Sequence, residues 1–387
     1  MGSSKPTRRT PQIALLATLA GCLFGPASRL LADEVSAPAS APTLRVLLYE
    51  GAGPVRVVRL ADGAPTHEIQ AVDGGLRADG GPVVATWRSG PGPLRARGLR
   101  VRGSVAVRRT QRGLAVVNRV GLEDYLVGTL GREMYASWSP AALRAQAVAS
   151  RSYALHRRGA RRAAAWDVVA GTASQVYGGL DAESGAVAAA VAATRGEVLM
   201  ADGGPILAAF HAASGGRTAS AEEVWGQRLD YLVSRPVPGE EDSPDTYWRA
   251  AVTRTTLGRA LAARGEPVGD LQAVEVVERS PSGRVLRVAL RGTRASAVLT
   301  GRELRTLLGE STLRSTLFEV RPGKGGWVFV GSGRGHGVGM SQWGAQAMAR
   351  SGASYREILA AFYPGAQLVT VDGARLAGGS AAYGGIR

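Results

Sequence analysis

The chain has 387 residues, enough for one large domain or two ordinary ones. Its 45% hydrophobic and 20% charged residues are typical of a globular protein with a sizeable core, and no internal apolar run is long enough to cross a bilayer. The net charge of +16 suits a polyanionic partner, but the arginines are scattered and no nucleic-acid-binding motif occurs. Nucleic acid is therefore not expected as a partner.

The first 32 residues are typical of an export signal. Arg8 and Arg9 belong to a charged start, and an apolar run follows over residues 13–24. A plausible cleavage site ends at Ala32. The sequence therefore predicts that residues 1–32 are a signal peptide and that the protein is exported to the periplasm or cell wall.

The single cysteine, Cys22, lies inside this segment, and two interpretations of it stay open. Leu19-Ala20-Gly21-Cys22 resembles the lipobox of bacterial lipoproteins, in which the cysteine is lipidated and becomes the new N-terminus. Alternatively, Cys22 lies by chance in the apolar signal core, because the residues after it are not the usual small or polar ones. In both cases an internal disulfide and a cysteine-based zinc site are excluded. Membrane association is expected only through the signal peptide or such a lipid anchor.

A Pro/Ala/Ser-rich linker over residues 33–43 leads into a β-rich N-terminal region over residues 44–120. Gly, Pro and Asp separate short runs of strand-forming residues there. The predicted strands are Leu44–Tyr49, Val55–Leu60, Thr66–Val72, Val83–Arg88, Leu99–Val107 and Leu114–Val120.

Helices follow the strands. A short amphipathic helix is predicted over Leu122–Leu130, and a longer one begins at Ser139-Pro140, a capping hydroxyl followed by proline, and runs to about Arg158. A third helix, Ser184–Thr194, precedes two further strands, Val198–Ala201 and Pro205–His211.

These elements predict an α+β fold, with a mixed β-rich core and packed helices. Residues 121–368 are predicted to form the main domain, with an inserted α/β segment over residues 250–320. The Gly/Ala-rich residues 369–387 are predicted to be a flexible tail.

Glu133 is a candidate general acid. Its neighbours Met134, Tyr135 and Trp138 are apolar or aromatic, and partial desolvation among them raises the pKa of a carboxyl group. On the residues alone, a surface glutamate paired with Arg132 is the more ordinary interpretation. Two rival carboxylates, at positions 123 and 124, fall in the first turn of a helix, where helix capping accounts for them better.

Two loops carry candidate binding groups. His211 to Thr218 follows a strand and contains small residues and hydroxyls, including Ser214. A Ser214 nucleophile is disfavoured, since the sequence lacks a Gly-x-Ser-x-Gly elbow and offers no placeable acid partner. The second loop, Gly335 to Ala345, has glycine at alternate positions around His336, which allows sharp turns and close approach to another surface.

Metal and nucleotide sites are not indicated. No two of the four histidines stand at ligand spacing, and neither nucleotide-binding glycine fingerprint occurs. The acidic stretch Gly239 to Asp245 lacks the regular spacing of a calcium loop, so a solvated loop is favoured.

Six separated blocks, in order, resemble the family of stage II sporulation protein D and the amidase enhancer. Together they span about residues 115–235 and 327–368. The blocks are Leu122-Glu123-Asp124-Tyr125-Leu126-Val127-Gly128 with Glu133-Met134; Ala142-Leu143-Arg144-Ala145-Gln146-Ala147-Val148-Ala149-Ser150-Arg151-Ser152-Tyr153-Ala154; Ser174-Gln175-Val176-Tyr177-Gly178-Gly179; Ala213-Ser214-Gly215-Gly216-Arg217-Thr218 with Trp225; Gly335 through Ala345; and Ser354-Tyr355-Arg356-Glu357-Ile358-Leu359 with Tyr363-Pro364-Gly365.

The resemblance implies a peptidoglycan lytic transglycosylase with a glycan-binding cleft, acting on strands stripped of stem peptides. The family's catalytic glutamate falls on Glu133 and its helix arginine on Arg151, which would hold the carboxylate or a substrate group. Some relatives carry zinc just before the Gln-x-Tyr-Gly block, but residues 166–173 contain neither Cys nor His, so no metal and no other cofactor is expected. The further residues expected to bind substrate are Gln175, Tyr177, Ser214, Arg217, Thr218, His336, Gln342 and Trp343.

A non-catalytic alternative is also implied. Amidase enhancers in this family bind the wall and stimulate a separate N-acetylmuramoyl-L-alanine amidase. Such a protein would keep the groove without a productive glutamate.

Overall fold

The computed structural model describes residues 42–61 and 64–371. The predicted signal peptide, Cys22, nearly all of the linker and most of the tail lie outside the described residues. The described chain mixes helices with many short strands in several sheets, which confirms the α+β prediction.

The N-terminal region consists of two antiparallel sheets on one core. Its strands are β1 (Thr43–Gly51), β2 (Val55–Arg59), β3 (Thr66–Val72), β4 (Gly75–Ala78), β5 (Val83–Val84), β6 (Thr86–Arg88), β7 (Leu94–Ala96), β8 (Leu99–Val101), β9 (Ser104–Thr110) and β10 (Gly113–Gly121). Strands β5-β4-β3-β2-β7-β8 form one sheet, and β1, β10, β9 and β6 form most of the other. Their inward-facing aliphatic side chains, such as Val46, Ile69 and Val116, are buried together.

Most predicted strands are present, but three of them, Val83–Arg88, Leu99–Val107 and Pro205–His211, are each divided into two strands. Leu99–Val107 shows the physical reason. The break is at Gly103, which has φ +78, and a Cβ there would lie 2.0 Å from the carbonyl oxygen of Arg119. Only glycine accommodates both the left-handed backbone and this approach. The chain therefore turns between β8 and β9, and each strand joins a different sheet.

Two long helices follow and carry much of the site. They are α1 (Leu122–Glu133) and α2 (Pro140–Ala160), succeeded by β11 (Val168–Val169), a short 3₁₀ turn (Gly179–Ala182) and α3 (Gly185–Ala193). Proline occupies the first turn of α2, as predicted. Most alanines of α2, among them Ala142, Ala145 and Ala149, are completely buried. Their small size lets α2 pack closely against its neighbours.

The remaining elements of the main body surround α2. They are β12 (Glu197–Ala201), β13 (Gly204–Pro205), β14 (Phe210–His211), α4 (Ala221–Trp225), β21 (Met340–Ser341), α7 (Gln342–Arg350), α8 (Tyr355–Phe362) and β22 (Gln367–Thr370). Strand β12 lies between β13 and β22, while β14 pairs in parallel with β21. This pairing joins the two predicted loops, since His211 lies beside Ser341.

A further hydrophobic core, separate from that of the N-terminal region, belongs to a group of elements here called the inserted module. They are β15 (Trp248–Thr253), α5 (Arg254–Ala263), β16 (Leu271–Arg279), β17 (Val285–Gly292), β18 (Ser296–Thr300), α6 (Gly301–Leu308), β19 (Phe318–Gly323) and β20 (Gly326–Gly331). Their buried residues, such as Leu257, Val288 and Phe329, form a cluster of their own. The module begins and ends on adjacent strands, because Trp248 in β15 pairs with Gly331 in β20.

Within residues 42–61 and 64–371, no helix combines the length and the apolar character needed to cross a membrane.

Candidate active site

Glu133 is the last residue of α1, where the chain leaves the helix in an extended conformation at Met134. Its side chain is partly buried, and its Oε1 accepts a hydrogen bond of 2.6 Å from the backbone N–H of Val176. Burial raises the pKa of Glu133 above its ordinary value, while hydrogen bonds from Val176 and from the side chain of Gln342 oppose part of that rise. A carboxyl group in this state can donate a proton and take one back.

The amide of Gln342 is itself held from behind. Gln342 begins α7 and is 5% exposed, and its Nε2 donates to Oε1 of Gln146 on α2 at 3.4 Å. The Nε2 of Gln146 in turn donates to Ser150 Oγ at 3.0 Å. This chain of buried donors fixes which end of the Gln342 amide faces Glu133.

Arg151 does not contact Glu133. Its guanidinium is fully buried and donates to Glu123 at the other end of α1, with Nε–Oε1 and Nη2–Oε2 distances of 2.9 and 2.7 Å. Further donated bonds go to the carbonyl oxygens of Val191 and Glu197. The predicted role of holding Glu133 or a substrate group therefore does not agree with the structure, and Glu123 is an ion-pair partner rather than simply a helix cap.

Gln175 and Tyr177 are also turned away from any groove. Gln175 is fully buried and accepts from Tyr125 at 2.9 Å, while the Tyr177 hydroxyl donates to Asn118 at 3.1 Å. The predicted substrate contacts of these two side chains are not possible in this arrangement. The segment instead serves Glu133 through its backbone, because the donor Val176 lies between them.

The loop after β14 is held by the buried carboxylate of Glu240, a residue in the stretch that was predicted to be a solvated loop. Glu240 is 5% exposed and accepts bonds from the backbone N–H groups of Ser214, Gly215 and Gly216. The hydroxyl groups of Ser214 and Ser341 donate to the same carboxylate. The solvated-loop prediction is wrong for Glu240 and also for Asp245, which is 4% exposed, since nothing in the run of acidic residues distinguishes those that turn inward.

Of the three predicted binding residues in that loop, one is on the surface. Ser214 and Thr218 are buried, and Thr218 accepts from the N–H of Arg235 at 2.8 Å, so neither side chain is placed to contact a substrate. Arg217 is exposed, with a long bond of 3.5 Å from its Nη1 to Ser234 Oγ.

His336 and His211 form a neutral pair with ring centroids 5.7 Å apart, in which His211 is buried and His336 is half-buried. Burial lowers the pKa of each to about 3, and the nearby Arg284 lowers both further. His336 Nδ1 accepts from Val338 N–H at 3.0 Å, and a bond to the backbone of Phe210 occupies the ring as well. His336 is thus a scaffold group, and the Ser214 hydroxyl is bonded to a carboxylate rather than to either ring.

Arg284 comes from the inserted module and reaches the same two loops. It is 2% exposed, and its Nη2 donates to the carbonyl oxygens of Ser214 at 2.7 Å and Arg217 at 3.2 Å. Gly337 has φ +82 and leaves the space that the guanidinium fills, since a Cβ there would lie 2.3 Å from Arg284 Cζ. The module therefore helps to shape the glycine-rich loop.

Trp343 follows Gln342 and is partly buried, with its ring centroid 4.8 Å from that of Trp138 in an edge-on arrangement. Of the predicted binding residues, Arg217 is exposed, Trp343 is partly buried, and Gln342 lies next to Glu133. As for metals, the described part of the chain contains no group of three or more His, Cys, Asp or Glu side chains arranged to hold an ion.

Two families match parts of the sequence. One is described as "Stage II sporulation protein" and matches residues 110–200, which include Glu133 and Arg151. The other is a domain of unknown function and matches residues 230–339, which include the inserted module.

Similar curated proteins come from three bacteria. An uncharacterised protein of Brachyspira hyodysenteriae is 34% identical over 260 residues, which cover 66% of this chain and 68% of that protein. Stage II sporulation protein D of Bacillus amyloliquefaciens is 33% identical, covering 66% and 76% respectively. The amidase enhancer of Bacillus subtilis is 31% identical, but the matched part is only 40% of its length. On this coverage and identity, the chain belongs to the stage II sporulation protein D family.

Proposed function

We propose that this protein acts on the bacterial cell wall as a peptidoglycan lytic transglycosylase, cleaving glycan strands that lack stem peptides. The observation that carries the proposal is the environment of Glu133. This carboxyl group has a raised pKa, and its hydrogen bonds come from a backbone N–H and a glutamine amide rather than from a cation that would keep it ionised. One such group is what this reaction requires.

The proposed reaction uses Glu133 twice. The protonated carboxyl first donates its proton to the oxygen that bridges two sugars, and the bond from that oxygen to the anomeric carbon breaks. The 6-hydroxyl oxygen of the same muramic acid ring then attacks the anomeric carbon, and the Glu133 carboxylate takes the proton of that hydroxyl group. The products are a free hydroxyl on one fragment and a 1,6-anhydro ring on the other, and no water is consumed. A second carboxylate, as in a hydrolase, is therefore not needed.

Gln342, Trp343 and Arg217 support substrate binding in this proposal, since they lie near Glu133 or at the surface. The buried residues act behind them. Arg151, Gln175 and Tyr177 fix α1 and the Val176 segment, and the Glu240 carboxylate holds the loop that contains Ser214.

The proposal is tested with purified wild-type protein, Glu133→Gln and a surface control, Glu222→Gln, on glycan strands without stem peptides. Mass spectrometry should find 1,6-anhydromuramyl ends with the wild type and the control, and at least a hundredfold fewer with Glu133→Gln. Reducing ends in their place would indicate hydrolysis by water. Undiminished cleavage by Glu133→Gln would exclude the assigned acid.

A second candidate function is that of a non-catalytic amidase enhancer, favoured by the 31% identity to a protein of that name. It would bind wall glycan and stimulate a separate amidase. If the wild-type protein binds the strands, leaves them intact and accelerates a purified N-acetylmuramoyl-L-alanine amidase, this second function is correct.

We also propose that the protein is exported, with residues 1–32 removed or with Cys22 lipidated. Mass spectrometry of the mature N-terminus in the native bacterium distinguishes the two. A chain beginning at Asp33 supports signal removal, a diacylglyceryl group on Cys22 supports the anchor, and an intact Met1 in the cytoplasm excludes both.

A further inference from the structure

Three aromatic side chains, Tyr135, Trp138 and Trp343, form a cluster next to Glu133, here called the aromatic corner. The ring centroids of Tyr135 and Trp138 lie 5.5 Å apart, those of Trp138 and Trp343 4.8 Å, and those of Tyr135 and Trp343 6.5 Å. The rings meet edge-on or tilted rather than stacked. Such contacts leave ring faces available to a further partner.

Both chain segments that contribute to the aromatic corner are adjacent in sequence to Glu133 or to its partner Gln342. Tyr135 is two residues beyond Glu133, so their Cα atoms are at most about 7 Å apart. Trp343 directly follows Gln342, whose side chain hydrogen-bonds Glu133. The rings are therefore carried by the same segments that position the Glu133 carboxyl group, where a strand would have to bind.

The backbone segments that carry the rings are held in place before a ligand arrives. The N–H of Trp138 donates to the carbonyl oxygen of Tyr135 at 3.0 Å, which closes the turn after α1. The N–H of Ser139 donates to Gln346 on α7 at 3.0 Å, and that of Trp343 donates to Ala212 at 3.0 Å. A prearranged surface loses little conformational entropy on binding.

Packing does not account for Tyr135. The residue is 62% exposed, so its ring gains little from burial, and it stands among the few large hydrophobic side chains exposed in the described chain. Exposed apolar groups that cluster at a polar site are characteristic of ligand binding.

We propose that the aromatic corner is a stacking subsite for one pyranose ring of a glycan strand, next to the ring whose bond Glu133 protonates. This inference rests on the proposed function and adds residues to it. The faces of a β-linked pyranose carry C–H groups and are apolar, while its hydroxyl groups point outward to polar neighbours such as Gln342. Aromatic faces with an amide beside them match this chemistry. A protein partner is less well matched, because three side chains supply far less than the ~800 Å² per partner of a standard interface.

Binding is measured by isothermal titration of soluble glycan strands without stem peptides into Glu133→Gln protein, so that no cleavage occurs. Adding Tyr135→Ala should weaken binding and raise the dissociation constant about three- to tenfold. Tyr135→Phe should leave it nearly unchanged, because the ring and not the hydroxyl makes the contact. The matched control is Tyr247→Ala, which removes a tyrosine of almost equal exposure, 64%, and should have no effect.

The outcomes separate the two proposals. If Glu133→Gln protein binds strands and Tyr135→Ala binds them equally well, the stacking subsite is wrong while the proposed function stands. If Glu133→Gln protein does not bind strands at all, the proposed function fails and the subsite fails with it. If Tyr135→Ala leaves strand binding intact but abolishes stimulation of an amidase, the corner is a protein interface and the subsite is likewise overturned.

Discussion

The two ends of helix α1 carry glutamates in contrasting environments. At the first turn, Glu123 receives two hydrogen bonds from the guanidinium of Arg151, which is completely buried. At the last residue, Glu133 receives one bond from the backbone of Val176 and another from Gln342, both neutral donors. The same side chain on the same helix therefore meets a full positive charge at one end and partial charges at the other.

This difference separates a structural carboxylate from a reactive one. A guanidinium stabilises the ionised form, so the Glu123–Arg151 pair can anchor α1 to α2 as a fixed charge pair. Neutral donors compensate less of the desolvation, and the pKa of Glu133 stays above its ordinary value. A single helix thus places an anchor and a proton donor about three turns apart.

The largest effect is expected from breaking the anchor. Arg151→Met leaves Glu123 without its partner and should lower the free energy of unfolding by about 3 kcal/mol. The double variant Arg151→Met/Glu123→Gln should lose clearly less than the two single variants added together, because the pair acts as a unit.

Urea denaturation measures both, with Arg228→Met as the control. Arg228 pairs with Asp230 at the surface, where both side chains are more than four-fifths exposed, so its removal should change stability by less than about 0.5 kcal/mol. Additive losses in the double variant, or an Arg151→Met as stable as Arg228→Met, would show that the anchor contributes little.

A smaller, pH-dependent effect of opposite sign is expected at the other end. The folded state holds the Glu133 proton more tightly than the unfolded chain does, because the pKa of this carboxyl group is near 4.5 in the unfolded chain and higher in the folded state. The free energy of unfolding of the wild type therefore falls as pH rises above about 4.5. Glu133→Gln removes this dependence. The free energy of unfolding of Glu133→Gln relative to wild type, measured by urea denaturation, should therefore be lowest at pH 4 and should increase toward pH 8, by at most about 1.4 kcal/mol per pH unit.

Glu222→Gln, a substitution at an exposed position, is measured alongside as the reference. A flat difference between Glu133→Gln and wild type from pH 4 to 8 would contradict a raised pKa. A difference that falls with rising pH would mean that the folded state stabilises Glu133 as a carboxylate.

The smallest effect concerns one of the two neutral donors. Gln342→Ala removes a bond that lowers the pKa of Glu133, so the alkaline limb of the pH profile of cleavage should move to higher pH. Turnover at the optimum should fall about fivefold, the equivalent of one net hydrogen bond. Gln367→Ala, at an exposed position in β22, should change neither quantity. An unchanged limb in Gln342→Ala would show that this amide does not act on Glu133.

Much of the fold could be predicted from the sequence because it depends on local patterns. The strand breakers Pro65 and Asp73 delimited β3 with its observed bounds, and Ser139-Pro140 predicted the start of α2. The break at Gly103 was missed, since it is enforced by a carbonyl oxygen of Arg119 on a neighbouring strand. Contacts between distant segments leave no periodic signal.

The site follows the same division. Glu133 was predicted, and the structure gives it the partly buried environment that its neighbours suggested. The ion-pair partner of Arg151 was not predicted, because the packing of α1 against α2 decides which glutamate the guanidinium reaches. Gln175 and Tyr177 match the family pattern and were predicted to contact substrate, but both side chains lie beneath the surface in hydrogen bonds to other buried groups. Glu240 was missed, and its five donors come from segments up to 101 residues away.

The paired ends of the inserted module have a consequence for how such a chain is assembled. Trp248 and Gly331 are opposite each other on neighbouring strands, so a segment of more than 80 residues occupies the place of a tight turn. A segment joined in this way can be gained, exchanged or shortened in a single genetic event without moving the surrounding backbone. The guanidinium of Arg284, seated under Gly337, is what such an exchange would have to replace.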